Sequence, residues 1–235
     1  MMVAIGNFLF HFRNMLFPLF YAALFIPSPR VFDSHYTAAL VGLAICLAGQ
    51  GIRIITIGLA YIIRGGSKRR IYAKDLVTSG MFAHCRNPLY IGNILVLLGL
   101  GFIANSLLFL LAVVPLFLFA YQAIVLSEEN YLLQKFGDQY REYMRDVNRW
   151  IPGLSGLGET LGSMGFRWKR VVIREYNATF IWITGALVIF IKNLYSVDRV
   201  LFFTILPPAV TLLAVLAVLY STVRYLKKSK RLRDE

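Results

Sequence analysis

Residues 86–130 read RNPLYIGNILVLLGLGFIANSLLFLLAVVPLFLFAYQAIVLSEEN, two apolar runs joined by a short polar turn. A helix needs about 20 apolar residues to cross a hydrocarbon core of ~30 Å. The turn at Asn105 and Ser106 is so short that the chain must reverse direction there. The pattern therefore predicts an antiparallel pair of helices over about 88–104 and 106–126. The hairpin returns the chain to the same membrane face, so we expect its two polar flanks to lie side by side.

The rest of the chain repeats this apolar pattern. The sequence has 235 residues, of which 58% are hydrophobic and 16% charged, and its mean hydropathy is +0.63. These values are typical of an integral membrane protein and exclude an ordinary soluble domain. We therefore predict an all-α, polytopic membrane protein with about six transmembrane helices. The predicted spans are about 8–26, 36–63, 88–104, 106–126, 177–194 and 200–222.

The positive charges are distributed unevenly between the connections. Twenty of the 25 lysine and arginine residues lie in 64–87, in 127–176 and in the tail beyond 222. With six spans and a cytoplasmic N-terminus these three regions share one side, as the positive-inside rule requires, so we expect both termini to be cytoplasmic. The net charge of +13 is not arranged as the basic and aromatic stripes of a nucleic-acid groove. Membrane lipids are the expected partners, and nucleic acid is not.

The cysteines and the first segment carry little chemistry. Cys46 and Cys85 have no partner at disulfide or zinc-ligand spacing, so we expect neither a structural disulfide nor a metal. The first segment contains His11, Arg13 and Asn14 and lacks a cleavage-site pattern. We interpret it as a retained span rather than a signal peptide, with His11 and Arg13 as interfacial anchors.

The first polar block, HCRNPLYIGN, has the features of a helix start that holds an anion. Asn87 suits an N-cap and Pro88 the first helical position. Free backbone N–H groups at such a start, with Arg86 beside them, favour a ligand carboxylate. Tyr90 adds a hydroxyl, and Gly92 leaves room for a ligand or another helix. A plain helix start with Arg86 reaching to the interface explains the same residues without chemistry.

The second polar block begins at Ser127 and reads SEENYLLQKFGDQYREYMRDVNRWIP. We expect Ser127 to cap a helix, Gly137 to end it, and Asp138 to cap a second helix. An amphipathic interfacial helix explains most of this pattern. Glu128 and Glu129 need another explanation, because adjacent carboxylates directly after an apolar span are costly unless solvated or paired. They suit a ligand ammonium or sugar hydroxyls.

Arg53 lies inside the second predicted span. It is about eight residues from the end of that span, hence roughly 12 Å inside it at about 1.5 Å per residue. An ionisable residue at that depth is a candidate for the functional site, although a side chain that reaches to the interface is an alternative.

The two blocks resemble a known family. DLVTSGMFAHCRNPLYIGN, residues 75–93, and EENYLLQKFGDQYREYMRDVNRWIP, residues 128–152, are similar to the two motif blocks of the isoprenylcysteine carboxyl methyltransferase and phospholipid methyltransferase superfamily. The resemblance implies three regions. These are a first helix with its connection (1–35), a methyltransferase core (36–152), and a connection with two further helices and a basic tail (153–235).

The resemblance further implies an S-adenosyl-L-methionine-dependent membrane methyltransferase, with the cofactor at the cytosolic face and a lipidic or amphipathic acceptor entering from the bilayer. The implied cofactor-binding residues are Arg86, Asn87, Pro88, Tyr90, Gly92, Glu128 and Glu129, and the candidate catalytic residues are Arg149, Arg53 and Tyr90. For a carboxylate acceptor, Arg149 or Arg53 would orient the anion. For an amine, Glu129, His84 or Tyr90 would help to remove a proton.

Alternatives stay open for both the methyl acceptor and the enzyme class. Asn87 stands where the family most often has His, a variant that also resembles phospholipid amine methyltransferases, so both a prenylcysteine-type carboxylate and a phospholipid amine stay open. The first alternative class is an NADPH-dependent reductase of the sterol type, which usually has an acidic residue where this chain has Asn93. The second is a non-enzymatic scaffold or transporter, although no internal repeat indicates alternating access.

Overall fold

The protein is a bundle of helices in the part of the chain that a computed structural model describes, residues 1–60 and 71–233. Within those residues the regular structure is helical and contains no strand, which confirms the all-α prediction. The α-helices are α1 (Met2–Tyr21), α2 (His35–Leu59), α3 (Pro88–Ile103), α4 (Val114–Phe136), α5 (Asp138–Asp146), α6 (Leu157–Ser163), α7 (Trp168–Val197) and α8 (Arg199–Lys228).

The long helices have the length and composition of membrane spans. Among the described residues five segments qualify, namely Met2–Phe25, His35–Leu59, Phe109–Phe136, Trp168–Val197 and Arg199–Lys228. The remaining predicted span, α3, is apolar but has 16 residues, about 24 Å of helix against a hydrocarbon core of ~30 Å. An integral membrane protein with several spans is confirmed, whereas the number six depends on α3. The predicted end of the second span, 61–63, and the basic residues of 64–70 lie outside the described residues.

The reversal between α3 and α4 depends on Asn105. This residue has φ +52°, a left-handed conformation that Asn tolerates better than most residues. Its Oδ1 accepts from the Val31 and Phe32 amides at 2.9 Å, and its Nδ2 donates to the Phe32 carbonyl at 2.7 Å. The reversal brings Tyr90, early in α3, into contact with Glu128, late in α4. The predicted antiparallel hairpin is therefore present.

Glycines allow α2 and α3 to pack backbone to backbone. A Cβ on Gly92 would lie 2.8 Å from the Gly49 carbonyl oxygen, and one on Gly99 would lie 2.5 Å from that of Gly42. Such approach excludes any larger residue. Of the two roles that the sequence allows for Gly92, room for a helix and room for a ligand, the structure shows the first.

The second polar block begins inside α4 instead of after it. Ser127 is an interior residue of the helix and donates to Asn7 Oδ1 of α1 at 2.6 Å, so the prediction that it caps a following helix is wrong. The helix continues because the adjacent glutamates are paired, as described below. Gly137, at φ +55°, ends α4 as predicted, and it also precedes α5 as its N-cap residue. Asp138 is the first residue of α5 and not its cap.

The last two long helices are attached to the core through α7. Asn193 Nδ2 of α7 donates to the Ile103 carbonyl at the end of α3, at 2.9 Å. Near the middle of α7, Trp182 Nε1 donates to Gln50 Oε1 of α2 at 2.7 Å. Because these contacts are buried, α7 is part of the core and α8 packs outside it.

Candidate active site at the start of α3 and the end of α4

The residues before α3 are held by the segment that follows α5. The Arg86 amide donates to the Asn148 carbonyl at 2.9 Å, and Asn87 Nδ2 donates to the Arg149 carbonyl at 3.2 Å. Asn87 occupies the N-cap position, as predicted, but its side chain makes no capping hydrogen bond, and its Nδ2 makes this long-range bond. The two polar blocks are therefore adjacent, and Asn87 joins them.

The start of α3 offers fewer free donors than the sequence predicts. Pro88 is at the first helical position, as expected. The Tyr90 and Ile91 amides both donate to the Asn87 carbonyl, at 3.1 and 3.2 Å. These two N–H groups are thus not directed at a ligand, and the positive charge near the helix start comes chiefly from Arg86.

Two arginines converge on one buried carboxylate. Arg86 lies 3.1 Å from Glu129 Oε1 through its NH2. Arg149 donates to both carboxylate oxygens of Glu129, from Nε at 3.0 and 3.1 Å and from NH2 at 2.7 Å. Arg86 and Glu129 are each 7% exposed, whereas the Arg149 side chain is 31% exposed. Glu129 therefore fixes both guanidinium groups, and Arg149 is the one nearer to the surface.

The neighbouring carboxylate has a different partner. Tyr90 donates from its hydroxyl to Glu128 Oε1 at 3.1 Å, and Glu128 is 6% exposed. The ring of Tyr90 packs against that of Tyr121, with the centroids 5.2 Å apart. The hairpin thus places a tyrosine hydroxyl and two carboxylates at one site, as expected from the sequence.

One donor of the cluster is not used by the protein. Arg86 NH1 donates to the Met144 carbonyl at 2.9 Å, but Arg86 Nε is buried and has no hydrogen-bond partner among the described residues. A buried donor without a partner costs about 1–3 kcal/mol, more in a charged group. An anionic ligand oxygen at this position would remove that cost.

Arg53 is placed elsewhere than the sequence suggests. Its guanidinium is bidentate to Glu175 of α7, with Nε–Oε1 at 2.5 Å and NH2–Oε2 at 2.9 Å. Its NH1 donates to the Asn93 side chain and to the Leu89 carbonyl of α3. The interpretation of Arg53 as a residue that orients an acceptor anion is therefore not supported, because its charge is already neutralised within the helix bundle.

Glu175 is the residue that sequence reasoning missed. It is 2% exposed, and it lies just before the predicted start of the fifth span, in the polar connection that the sequence predicts over 127–176. Gln50 Nε2 also approaches its carboxylate, at 3.5 Å. The signal for it in the sequence is a single acidic residue that borders an apolar run. Its partner, Arg53, is also visible in the sequence as a cation inside a predicted span.

An apolar groove adjoins the charged cluster. It has a volume of about 430 Å³, and Trp150, next in sequence to Arg149, forms part of its wall. Trp150 Nε1 donates to Gln122 Oε1 at 2.9 Å, so the indole is fixed. The lining residues, from α3, α4 and the segment after α5, are Ile91, Ile94, Leu95, Leu118, Gln122 and Trp150. The groove can accept a hydrocarbon chain whose polar end lies near Arg149.

His84 has a structural role in this arrangement. Its Nδ1 lies 2.9 Å from the Gly153 carbonyl, its Nε2 lies 2.9 Å from Thr160 Oγ1, and the ring is buried. The carbonyl can only accept, so Nδ1 carries a proton, and the threonine hydroxyl can pair with Nε2 as donor or as acceptor. Both ring nitrogens are engaged, so His84 has no free nitrogen to serve as a proton acceptor for an acceptor amine.

Cys85 and Arg149 each show a shifted pKa. Burial raises the pKa of the Cys85 thiol, which donates to the Arg149 carbonyl at 3.4 Å. The thiol is therefore a weak candidate for a nucleophile. The hydrogen bonds that Arg149 donates to Glu129 raise the pKa of the Arg149 guanidinium, which keeps this group charged at every accessible pH.

Part of the chain is similar to known proteins. The phospholipid methyltransferase family model matches residues 36–139, which include α2, α3, α4 and the charged cluster as far as Glu129. The protein-S-isoprenylcysteine O-methyltransferase of Schizosaccharomyces pombe is 37% identical over 131 residues, 52% of this chain and 51% of that protein. The cobalt-zinc-cadmium resistance protein CzcN of Cupriavidus metallidurans is 33% identical over 113 residues, 48% of this chain and 51% of that protein.

These matches define the extent of the likeness. The chain spans about half the length of these two relatives. No solved structure matches. The residues that the family model matches contain both carboxylates and the arginine at the start of α3. Over this part of its length the chain is similar to isoprenylcysteine carboxyl methyltransferases and phospholipid methyltransferases.

Proposed function

We propose that the protein is an S-adenosyl-L-methionine-dependent membrane methyltransferase that methylates a lipidic or amphipathic acceptor at the cytosolic face. The observation that carries the proposal is the buried cluster of two arginines, two glutamates and a tyrosine at the joined ends of α3 and α4. The family match, which includes four of these five residues, supports a methyltransferase over a reductase.

The cluster fits the polar end of the cofactor. The amino-acid moiety of S-adenosyl-L-methionine has a carboxylate and an ammonium group. Arg86, with its unused Nε, and Arg149 would hold the carboxylate, since guanidinium groups bind carboxylates through directed, charge-assisted bonds. Glu128 would face the ammonium or the ribose, with its carboxylate positioned by Tyr90. Glu129 would keep the two arginines in place.

Asn87 and Pro88 have an indirect role in this proposal. Asn87 fixes the Arg149 backbone, and Pro88 begins the helix that presents Tyr90. Gly92 contributes through the packing of α2 against α3 and not through contact with the cofactor.

The bound cofactor would supply an electrophilic methyl group on a sulfonium centre. The chain must hold that group in line with the acceptor and exclude water, and alignment of this kind can supply much of the rate acceleration. The apolar groove beside Trp150 would hold the hydrocarbon part of the acceptor, with its polar end near Tyr90 and Arg149. The partly exposed Arg149 is placed to attract a carboxylate acceptor.

The side of the membrane on which the cluster lies is inferred from the distribution of positive charge. The described basic residues around α5 and at the end of α8 lie on the side of the cluster in the six-span arrangement. The positive-inside rule assigns that side to the cytosol. Both termini are cytosolic in this proposal.

A methyl-transfer assay with purified protein in lipid nanodiscs tests the function. The protein is incubated with methyl-labelled S-adenosyl-L-methionine and with either a farnesylcysteine analogue or a phospholipid extract. We expect label in a lipid-soluble product, which mass spectrometry would identify as a carboxyl ester or a methylated amine. Glu128→Gln should reduce transfer by at least about tenfold, since a hydrogen bond to a charged group contributes ~1.5–3 kcal/mol. Transfer to no acceptor in either set would contradict the proposal.

Glu142→Gln is the matched control, because Glu142 lies on the exposed face of α5. It removes the same charge from the same end of the molecule without touching the cluster. The control should keep wild-type transfer, and an equal loss in both variants would show that the effect of Glu128→Gln is not specific to the site.

A further inference from the structure

A second cavity lies between α2, α7 and α8, away from the groove beside Trp150. Its volume is about 270 Å³. Its lining on α7 extends from Val171 to Ile183, which is about 18 Å of helix at ~1.5 Å per residue. A cavity of this volume and length is a narrow slot. It runs along the helices for more than half of a ~30 Å hydrocarbon core.

The walls of the slot are apolar and its floor is electrically neutral. Ile54, Phe180 and Leu216 contribute side chains from the three helices. The floor contains Gln50 and Glu175, but the Glu175 carboxylate is neutralised by its bidentate pairing with Arg53. A hydrocarbon chain can therefore lie along the whole slot without meeting an uncompensated charge.

One end of the slot is bordered by cations held over aromatic rings. Lys227 Nζ donates across the gap from α8 to the Ile173 carbonyl of α7 at 3.0 Å, and it lies 5.1 Å from the Tyr176 ring centroid. Arg224 NH1 donates to the Tyr220 hydroxyl at 3.2 Å. Among the described residues neither cation is paired with a carboxylate. This end therefore has an excess of positive charge next to an apolar slot.

The two tyrosines connect the cationic end to the slot. Tyr176 and Tyr220 pack with ring centroids 5.3 Å apart, and Phe180 continues the stack 4.6 Å from Tyr220. Aromatic residues with one polar end are typical of the level of the membrane–water interface. The cations are thus at head-group depth and the slot is at acyl-chain depth.

We infer that this slot is a binding site for one anionic phospholipid, with an acyl chain between α7 and α8 and the phosphate at Lys227 and Arg224. Basic pockets between transmembrane helices recognise anionic head groups through this combination of charge and depth. Both cations and most of the lining lie on α7 and α8, beyond the residues that the methyltransferase family model matches, and the site is independent of the proposed activity.

Native mass spectrometry of the detergent-purified full chain tests the inference. The protein is titrated with phosphatidylglycerol or with phosphatidylcholine of the same acyl composition. We expect one phosphatidylglycerol to bind at least about tenfold more tightly than phosphatidylcholine, a ratio equivalent to ~1.4 kcal/mol. Equal binding of the two lipids by the wild-type protein would overturn the inference whatever the variants do.

Two pairs of variants separate this site from general charge attraction. Lys227→Gln with Arg224→Gln should reduce phosphatidylglycerol binding to the phosphatidylcholine level. Lys228→Gln with Lys230→Gln removes the same charge from exposed neighbours and should keep the preference. Retention of the preference in the first pair, or its loss in the second, would contradict the proposed site.

A bulky residue tests the slot itself. Leu216→Trp should reduce phosphatidylglycerol binding with both cations intact, because Leu216 lines the cavity. Val218→Trp places the same residue on the exposed face of α8 and should have no effect. Unchanged binding in Leu216→Trp would overturn the placement of the acyl chain.

Discussion

At the scale of single residues, the cluster shows two carboxylates that are adjacent in sequence and separate in role. Glu129 neutralises and orients Arg86 and Arg149, whereas Glu128 faces Tyr90. The sequence indicates that these residues meet, because the hairpin and the two polar blocks are visible in it. It cannot assign the pairs, because a shift of one residue on α4 turns a side chain by about 100°.

The structure predicts that Glu129→Gln destabilises the protein more than Arg149→Gln does. The first change leaves Arg86 buried with an unpaired charge, and breaking a buried pair typically costs ~3–5 kcal/mol. The second change removes a partly exposed partner, and exposed pairs contribute ~1 kcal/mol or less. Thermal unfolding of both variants in the same detergent is the measurement, and a lower melting temperature for Arg149→Gln would refute this assignment.

At the scale of secondary-structure elements, most helices could be predicted from hydropathy and their contacts could not. The predicted α3, 88–104, agrees with the observed Pro88–Ile103 because Pro88 and the turn at Asn105 mark its limits. The hydropathy pattern predicts an end near 126 for α4, earlier than the observed Phe136, because paired glutamates within a helix look like a polar connection in a sequence. The role of Gly92 depends on α2, a partner that is 30 or more residues distant along the chain.

The packing of α2 on α3 predicts a strong effect of Gly92→Ala. The added Cβ would lie 2.4 Å from Arg53 Cγ and 2.8 Å from the Gly49 carbonyl oxygen, so the helices must separate. Overpacking of this kind costs ~1–3 kcal/mol. Gly185→Ala on α7 is the control, since a Cβ there meets nothing within 4 Å. Chemical unfolding should show a loss for the first and none for the second, and similar behaviour of both would contradict the packing.

The attachment of α7 to the core predicts that Glu175→Gln destabilises the protein by about 3 kcal/mol, because Arg53 loses the carboxylate that neutralises it in an apolar interior. Replacement of both residues, Arg53→Met with Glu175→Met, should recover most of that loss, since apolar residues of similar volume often replace a buried pair without penalty. Unfolding measurements on the single and double variants check this. A double variant that is less stable than Glu175→Gln would contradict it.

At the scale of the whole molecule, a core of α2, α3 and α4 carries the family match, and α7 and α8 extend it on one side. α7 contributes Glu175 to the buried network of the core, while α8 mainly adds membrane-facing surface. The arrangement places the charged cluster and the cationic end of the slot at the same end of the bundle when all six apolar helices cross the membrane.

The six-span arrangement predicts that both termini are cytosolic. α3 has 16 residues, so it crosses only if the bilayer thins locally or if neighbouring polar residues complete the span. Protease protection of terminal tags in sealed vesicles is the measurement. Tags on opposite sides of the membrane would show an odd number of spans and would contradict the proposed orientation of the site.

The central claim is that the cluster between α3 and α4 binds S-adenosyl-L-methionine, and equilibrium binding of the labelled cofactor to purified protein tests it most directly. We predict one saturable site that S-adenosylhomocysteine displaces and NADPH does not. Affinity should fall at least about tenfold in Arg86→Gln, which removes a charge-assisted bond of ~1.5–3 kcal/mol. Absence of saturable binding, displacement by NADPH, or full affinity in a folded Arg86→Gln would contradict the claim.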